Sequence, residues 1–162
     1  MSGQRERELI GIIEKQIQRM DALYASITEA FDRDVALLGR TGNAGVMIAG
    51  LFENYYTCIE TAFQKISQHF ENHLEPGRWH AELLSKMTLR IEGLRIPAVS
   101  ETNYPALLEL QRFRHFKRYY FDLDYDWDRL DFLRKKLEPA HPMAVVDLRN
   151  FIEFLRALTS GT

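Results

Sequence analysis

The sequence predicts one all-α domain over residues 1–162, an antiparallel bundle of about five to six helices. Apolar residues recur every three or four positions along several stretches, as on one face of a helix. No stretch shows the convincing alternation of apolar and polar residues that is typical of a strand. Glycines and prolines separate the helical stretches, with no linker that would divide two domains. A chain of 162 residues is long enough to bury one core.

The first two predicted helices each carry a long apolar stripe. The first stripe consists of Ile10, Ile13, Ile17, Met20, Tyr24, Ile27 and Phe31. Its helix should end near Gly39, because residues 40–43 are turn-forming. The second stripe consists of Phe52, Tyr56, Ile59, Phe63, Ile66 and Phe70. Its helix should end by residues 75–77, because they include a proline.

The middle of the chain predicts a short helix and an irregular connector. Residues 79–89 form the helical candidate, whereas residues 90–102 contain a glycine and a proline that interrupt regular structure. Asn103 is the predicted N-cap of the next helix, with Pro105 inside the first turn. That helix runs through the basic segment described below.

The C-terminal part predicts two further helices. Asp124 or Asp126 should cap the first of them, and its first turn is acidic, as the helix dipole favours. Pro139 and Pro142 should end it. The final helix carries the apolar positions Val145, Leu148, Ile152, Leu155 and Leu158.

The bulk composition predicts a cytoplasmic protein that neither crosses a membrane nor carries a disulfide. The first residues mix charges and lead into no signal-type apolar stretch. The longest apolar run, residues 44–52, is too short to span a bilayer. Cys58 is the single cysteine, so no internal disulfide can form.

Residues 112–121 form a basic segment with four cations, one histidine and a run of aromatic residues. The formal net charge of the chain is −2, so this positive charge is local. Local positive charge of this kind suits a phosphate or a polyanion. The plain alternative is a solvated face, in which the cations pair with the aspartates at positions 122, 124, 126 and 128.

From residue 52 onward the chain resembles the HepT-like branch of the HEPN superfamily. The resemblance rests on ordered strings at residues 55–60, 78–84 with Met87, 95–100, 112–115 and 123–130, which are spread over about half of the chain. Proteins of this branch are small, α-helical and often homodimeric. They include ribonuclease toxins encoded beside a minimal nucleotidyltransferase antitoxin. The resemblance therefore implies a homodimer, RNA as ligand and such an antitoxin as partner.

The catalytic pattern of the family maps onto the basic segment with two departures. The family arginine falls on Arg114, the family histidine on Tyr119 and the family tyrosine on Phe121. Metal-independent RNA cleavage needs a proton-transfer group with a pKa near neutral and cations that hold the phosphate. A tyrosine ordinarily has a pKa near 10 and replaces that histidine poorly. Phe121 also lacks the hydroxyl that in some members accepts nucleotide groups.

His115 is the candidate that could replace the missing base. On a helical wheel Arg112, His115 and Tyr119 share one face, and Arg114 and Arg118 share a neighbouring face. The third face, formed by Phe113, Phe116 and Tyr120, should enter the core.

We therefore assign Arg114, His115 and Tyr119 as catalytic candidates. Arg112, Lys117 and Arg118 are the candidates for phosphate binding, in a cleft at a dimer interface. The Arg134–His141 pair also fits the motif spacing, but it lies outside the family position and is attributed to chance.

Glu60 and His80 are predicted supporting residues, each with an alternative. Glu60 either orients the Arg114 guanidinium or is an exposed partner of another cation. His80 either supports the cleft or bonds to backbone at a helix start. No cofactor or metal site is predicted. Residues 122–135 lack the glycine and glutamate of a calcium loop, and His69 and His73 lack an identifiable third ligand.

Three functional hypotheses follow. The first is a HepT-type ribonuclease toxin that uses Arg114, Arg118 and His115. The second is a non-catalytic HEPN scaffold, or a module that binds RNA or nucleotides and has lost the histidine base. The third is that Tyr119 or Tyr120 accepts nucleotidyl groups from a partner enzyme.

Overall fold

The computed structural model describes residues 2–71, 79–118 and 125–161, without the side chains of residues 2, 79–81, 117 and 118. Its elements are α1 (Ser2–Glu29), a π-helical turn (Ala30–Asp34), α2 (Val35–Leu38), α3 (Gly42–Phe70), α4 (Trp79–Met87), α5 (Tyr104–Arg118) and α6 (Trp127–Ser160). The only β-type pairing in these ranges is one isolated bridge between Ile91 and Arg95. The all-α prediction is therefore confirmed. None of the helices described in these ranges is both long and apolar enough to cross a membrane.

The α1 helix packs along α3 and α6 through its predicted stripe. Ile13, Ile17, Met20 and Ile27 are almost completely buried. The helix continues through the π-helical turn into α2 and ends at Gly39, as the sequence predicts. Gly39 has φ of 80°, a left-handed conformation that favours glycine, and its N–H donates to the Val35 carbonyl.

The α3 helix lies at the centre and contacts α1, α4, α5 and α6. It begins earlier than the turn predicted at residues 40–43 allows. Thr41 is the N-cap and its hydroxyl accepts from the Ala44 N–H at 3.1 Å, so Gly42 and the next residue are already helical. The predicted stripe is buried from Phe52 to Ile66. The predicted end at residues 75–77 lies outside the described residues.

The connector between α4 and α5 is irregular, as predicted, and Arg95 organises it. The Arg95 side chain is fully buried and its guanidinium donates to Glu71 and to the backbone carbonyls of Lys86, Leu89 and Ile96. A buried guanidinium needs such partners because an unpaired charge is costly away from water. Arg95 therefore ties the connector to the end of α3.

Helix α6 corrects one expectation, because it runs unbroken through Pro139 and Pro142. Proline removes a backbone N–H and so leaves the carbonyl four residues earlier without its helical partner. Both prolines are exposed, so the affected backbone faces water. On the inner side, the Asn103 amide donates to the Ala140 carbonyl at 3.1 Å, and His141 is anchored in the core. Tertiary contacts thus hold the helix together where local propensity would end it.

His141 joins three helices through a chain of hydrogen bonds that runs from the exposed Asp21 to the buried Tyr55. Its Nε2 lies 2.8 Å from Asp21 Oδ1 on α1, and its Nδ1 lies 2.8 Å from the Tyr55 hydroxyl on α3. The Tyr24 ring stacks on the imidazole with 4.5 Å between centroids. Asp21 only accepts, so the neutral imidazole donates from Nε2 and accepts the Tyr55 hydroxyl at Nδ1. This arrangement suits an uncharged His141.

The pH dependence of stability should report on His141. Burial lowers the pKa of His141 below its usual 6.5, although Asp21 partly opposes this effect. A folded-state pKa below the unfolded value means that the contribution is complete above about 6.5 and is lost as the pH falls through the folded-state pKa. Urea unfolding should be measured at a pH above 6.5 and at a pH below the folded-state pKa. As the pH falls, the free energy of unfolding should decrease more for wild type than for His141→Gln. Equal losses in the two proteins would contradict this role.

Candidate functional site around Arg114

Helix α5 presents its apolar face to α3 and α6 and its basic residues on the flanks. Leu107, Leu110 and Phe113 are buried and fix the rotation of the helix. Asn103 directly precedes it and Pro105 is its second residue, as predicted. Arg114 follows Phe113 and therefore leaves α5 at the edge of the core, on the side of α3.

The Arg114 guanidinium is held by α3. Its Nη1 lies 2.8 Å from Glu60 Oε1, and its Nη2 donates to Glu60 Oε2 at 2.9 Å. Nη1 also lies 3.4 Å from the Thr57 hydroxyl, and the guanidinium carbon lies 5.1 Å from the centre of the Tyr56 ring. The two side chains of the pair are only 14% and 8% exposed. This forked geometry fixes both the position and the plane of the guanidinium.

Tyr56 lies beneath the arginine with its ring, and its raised pKa makes the phenol a weaker acid than an ordinary tyrosine. Burial is the main cause that raises the pKa of Tyr56, and the Glu60 carboxylate raises it further. Arg114 and a hydrogen bond with Gln111 oppose this effect without cancelling it. The phenol is therefore neutral at physiological pH. It contributes a ring face for the cation rather than acid–base chemistry.

Arg112 and His115 occupy other sides of α5. Arg112 is exposed and lies 3.6 Å from Glu109, one turn earlier on the same helix. His115 is also exposed. Because each residue turns a helix by about 100°, Arg112 and Arg114 point about 200° apart. Their cations therefore do not converge on one point within a single copy of the chain.

Several predicted site residues lie outside what the structure describes. These are Tyr119 and Tyr120, together with the side chains of His80, Lys117 and Arg118. Their assigned roles stay predictions. Phe121, at the position of the family tyrosine, also lies outside the described residues.

The structure tests two expectations, one about the partner of Glu60 and one about the burial of Phe116. Glu60 pairs with Arg114, so of its two alternatives the exposed one is wrong. Phe116 was expected in the core, but it is 50% exposed. The apolar face of α5 is narrower than the helical wheel suggests, because it is buried at Leu107, Leu110 and Phe113 but not at Phe116.

The acidic residues at the start of α6 do not pair with Arg114. Asp126 is the N-cap of α6, and its carboxylate accepts from the Asp128 N–H at 3.0 Å. Asp126 thus satisfies one of the two capping alternatives. Of the solvated-face alternative, the described aspartates at positions 126 and 128 show no ion pair with Arg114, which binds Glu60 on α3. The aspartates at positions 122 and 124 lie outside the described residues.

Sequence reasoning missed the contribution of Tyr56 and Thr57 to this site. Both precede Glu60 by three or four residues on α3, which places them on the same helical face. That spacing was the available signal. It was not sufficient, because the same spacing also fits the apolar stripe to which Tyr56 belongs.

The described residues include no group of histidine, cysteine, aspartate or glutamate side chains that could hold a metal ion. His69 lies 3.4 Å from Glu6 on α1, and His73 lies outside the described ranges. The described part of the site therefore consists of cations, one buried carboxylate and aromatic rings.

Comparison with known proteins links this site to a family. A family model described as HepT-like protein matches residues 47–155, which include both Glu60 and Arg114. No curated protein and no solved structure shows a significant match to the chain.

The Arg114–Glu60 pair should be important for stability. Glu60→Ala leaves a nearly buried guanidinium without its counter-charge, and we expect the free energy of unfolding to fall by about 3 kcal/mol. Glu109→Ala is the matched control, because Glu109 also faces arginines but at 3.6 Å and 3.7 Å and with more exposure. It should cost about 0.5 kcal/mol. Chemical denaturation measures both, and similar losses would show that the buried pair has no special weight.

Proposed function

Because the chain belongs to the HepT-like family, we propose that it is the RNase-like component of a toxin–antitoxin pair and that it binds RNA phosphates through the basic segment of α5. The observation that carries this proposal is the bidentate Arg114–Glu60 pair. It supports an arginine held in one orientation at the family position, rather than a cation that moves freely in solvent.

The positions around Arg114 favour binding over turnover. Glu60 neutralises the guanidinium locally, which weakens its attraction for a phosphate but preserves its geometry. Displacing Glu60 would leave a buried carboxylate without a partner, so an incoming phosphate is expected to join the pair and not replace it. Tyr119 and Phe121 stand in the sequence where the family has histidine and tyrosine. A group with a pKa near neutral is therefore missing at the position that would activate the 2′-hydroxyl.

A second candidate is a catalytically active ribonuclease that uses His115. The exposure of His115 favours it, because a solvent-accessible imidazole can reach a bound strand. Arg112 lies three residues earlier, on a neighbouring part of the same surface. In this alternative, Arg112 holds the phosphate and His115 takes the proton.

Partners follow from the family and belong to the proposal. A homodimer would bring two copies of α5 together and double the positive charge available to RNA. A minimal nucleotidyltransferase antitoxin would act on the same segment, with Tyr119 or Tyr120 as acceptor. Such a modification would add a negative charge beside the cations and so oppose RNA binding.

RNA binding should depend on salt, and Arg112 should contribute to that dependence. Arg112→Ala removes one exposed phosphate contact, so the slope of log affinity against log salt should decrease by roughly 0.7 to 1. The control is Arg149→Ala, because Arg149 is an exposed arginine in the C-terminal half of α6 and lies outside the basic segment. Fluorescence anisotropy with a labelled RNA over a salt series measures both slopes. If the wild type shows no salt-dependent binding, the proposed function is wrong.

A cleavage assay separates the two candidates. In a metal-free buffer with a chelator, we expect no sustained RNA turnover by wild type, and a gain of turnover in Tyr119→His, which restores a base with a pKa near neutral. A fluorophore–quencher RNA measures the rate. Turnover by wild type that disappears in His115→Ala would instead establish the second candidate. Inactive Tyr119→His would show that the orientation of Arg114 is not competent for cleavage.

A further inference from the structure

Two phenylalanines stand exposed on α5 and α6. Phe116 is 50% exposed and Phe132 is 38% exposed. Single exposed apolar residues are common on protein surfaces, so exposure alone indicates no function. These two are of interest because of the charges that surround them.

Glu109 places the two phenylalanines on one surface. Its carboxylate lies 3.6 Å from Arg112 on α5 and 3.7 Å from Arg129 on α6, so it bridges the two helices. Phe116 follows Arg112 by four residues and Phe132 follows Arg129 by three, which keeps each ring on the face of its arginine. Helical spacing therefore places both rings and both arginines along the boundary between α5 and α6.

Cations also contact the Phe132 ring directly. The guanidinium carbon of Arg129 lies 5.9 Å from the ring centre and the Lys136 ammonium lies 5.3 Å from it. Lys136 is exposed. Among the described residues, Glu109 is the acidic side chain whose contacts place it on this surface, against the three cations Arg112, Arg129 and Lys136. The surface therefore combines aromatic faces with a local excess of positive charge.

We infer that this surface, the α5–α6 aromatic patch (Arg112, Phe116, Arg129, Phe132 and Lys136), binds single-stranded RNA. The inference rests on the proposed RNA-binding function and adds the class of RNA. Unpaired bases would stack on the two rings, and the phosphates between them would contact the cations. A duplex keeps its base faces stacked inside the helix, so it can use the cations but not the rings.

Charge complementarity favours RNA over other occupants. An apolar protein partner, or a second copy docking through apolar contacts, would have to bury Arg112 and Lys136 against its surface, which is costly without acidic partners. A single strand supplies a phosphate for each cation and a flat ring for each phenylalanine. Cations beside an aromatic ring also strengthen stacking of a base on that site.

The test compares a labelled single-stranded oligouridine with the same strand annealed to oligoadenosine, at one fixed salt concentration, by fluorescence anisotropy. Phe132→Ala and Phe116→Ala should each weaken single-strand binding by about fivefold to tenfold and leave duplex binding unchanged. Phe132→Trp should retain the affinity, because it keeps an aromatic face. Phe132→Leu should lose it, although it keeps an apolar side chain.

The control variant is Val146→Ala, which removes an exposed apolar residue from α6. Residue 146 lies about 21 Å along the helix axis from residue 132, so single-strand affinity should not change. Because the mutated phenylalanines are exposed, all variants should fold, and circular dichroism checks this directly.

Specific outcomes would overturn the inference. Equal weakening of single-strand and duplex binding, or full affinity in Phe132→Leu, would show that the rings do not stack on bases. A change from dimer to monomer in Phe116→Ala, with RNA affinity unchanged, would assign the patch to self-association. Failure of wild type to bind either RNA would refute the proposed function together with this inference. Duplex binding that depends on Arg112 but not on the rings would refute this inference alone.

Discussion

The structure depends on the burial of α3, because this helix is in contact with four others and 13 of its 29 residues are buried. Its apolar stripe explains the packing, but its buried polar groups decide how the other helices are placed. A polar group that is buried without a hydrogen-bond partner destabilises the folded state, because it loses its hydrogen bonds to water. Tyr55 forms a hydrogen bond with His141 on α6, and Glu60 forms an ion pair with Arg114 on α5. Each of these contacts fixes the rotation of a neighbouring helix.

The Arg114–Glu60 pair connects this packing constraint to the proposed function. A buried ion pair is rarely favourable for stability compared with apolar residues of the same size. It does give the arginine a single orientation, which apolar packing could not provide. In a protein of this family, the arginine position is where phosphate recognition is expected, and a fixed guanidinium lowers the entropy that binding must cost. We therefore interpret the pair as a compromise between stability and preorganisation.

The sequence predicts the features that depend on local order. The stripe of α1, its end at Gly39 and the irregular connector follow from residues that are neighbours in the chain. The uninterrupted α6 does not, because the effect of Pro139 depends on which side of the helix faces water and on partners such as Asn103, just before α5. The prediction that Phe116 enters the core was wrong for a similar reason, because the neighbouring helices set the width of a buried face.

Long-range polar contacts were the least predictable part of the site. Glu60 and Arg114 are 54 residues apart, and Tyr55 and His141 are 86 residues apart. Helical spacing identifies which residues share a face, but it does not say which faces meet. For Glu60 the family resemblance narrowed the choice to two alternatives, and only the contact distinguished them. For His141 the spacing from Arg134 pointed to a motif match, whereas its partners are Asp21 and Tyr55.

The rotation of α5 also separates the two proposals about catalysis. Arg114 faces α3, Arg112 and Phe116 face the seam with α6, and His115 lies on the solvent side between them. Adjacent residues on a helix point about 100° apart, so His115 is directed away from a phosphate held at Arg114 in the same copy. Proton transfer needs hydrogen-bond reach, whereas phosphate binding needs only proximity and charge. Cleavage at Arg114 by His115 would therefore need the His115 of a second copy of the chain, while the proposed binding of a single strand along α5 and α6 would need one copy only.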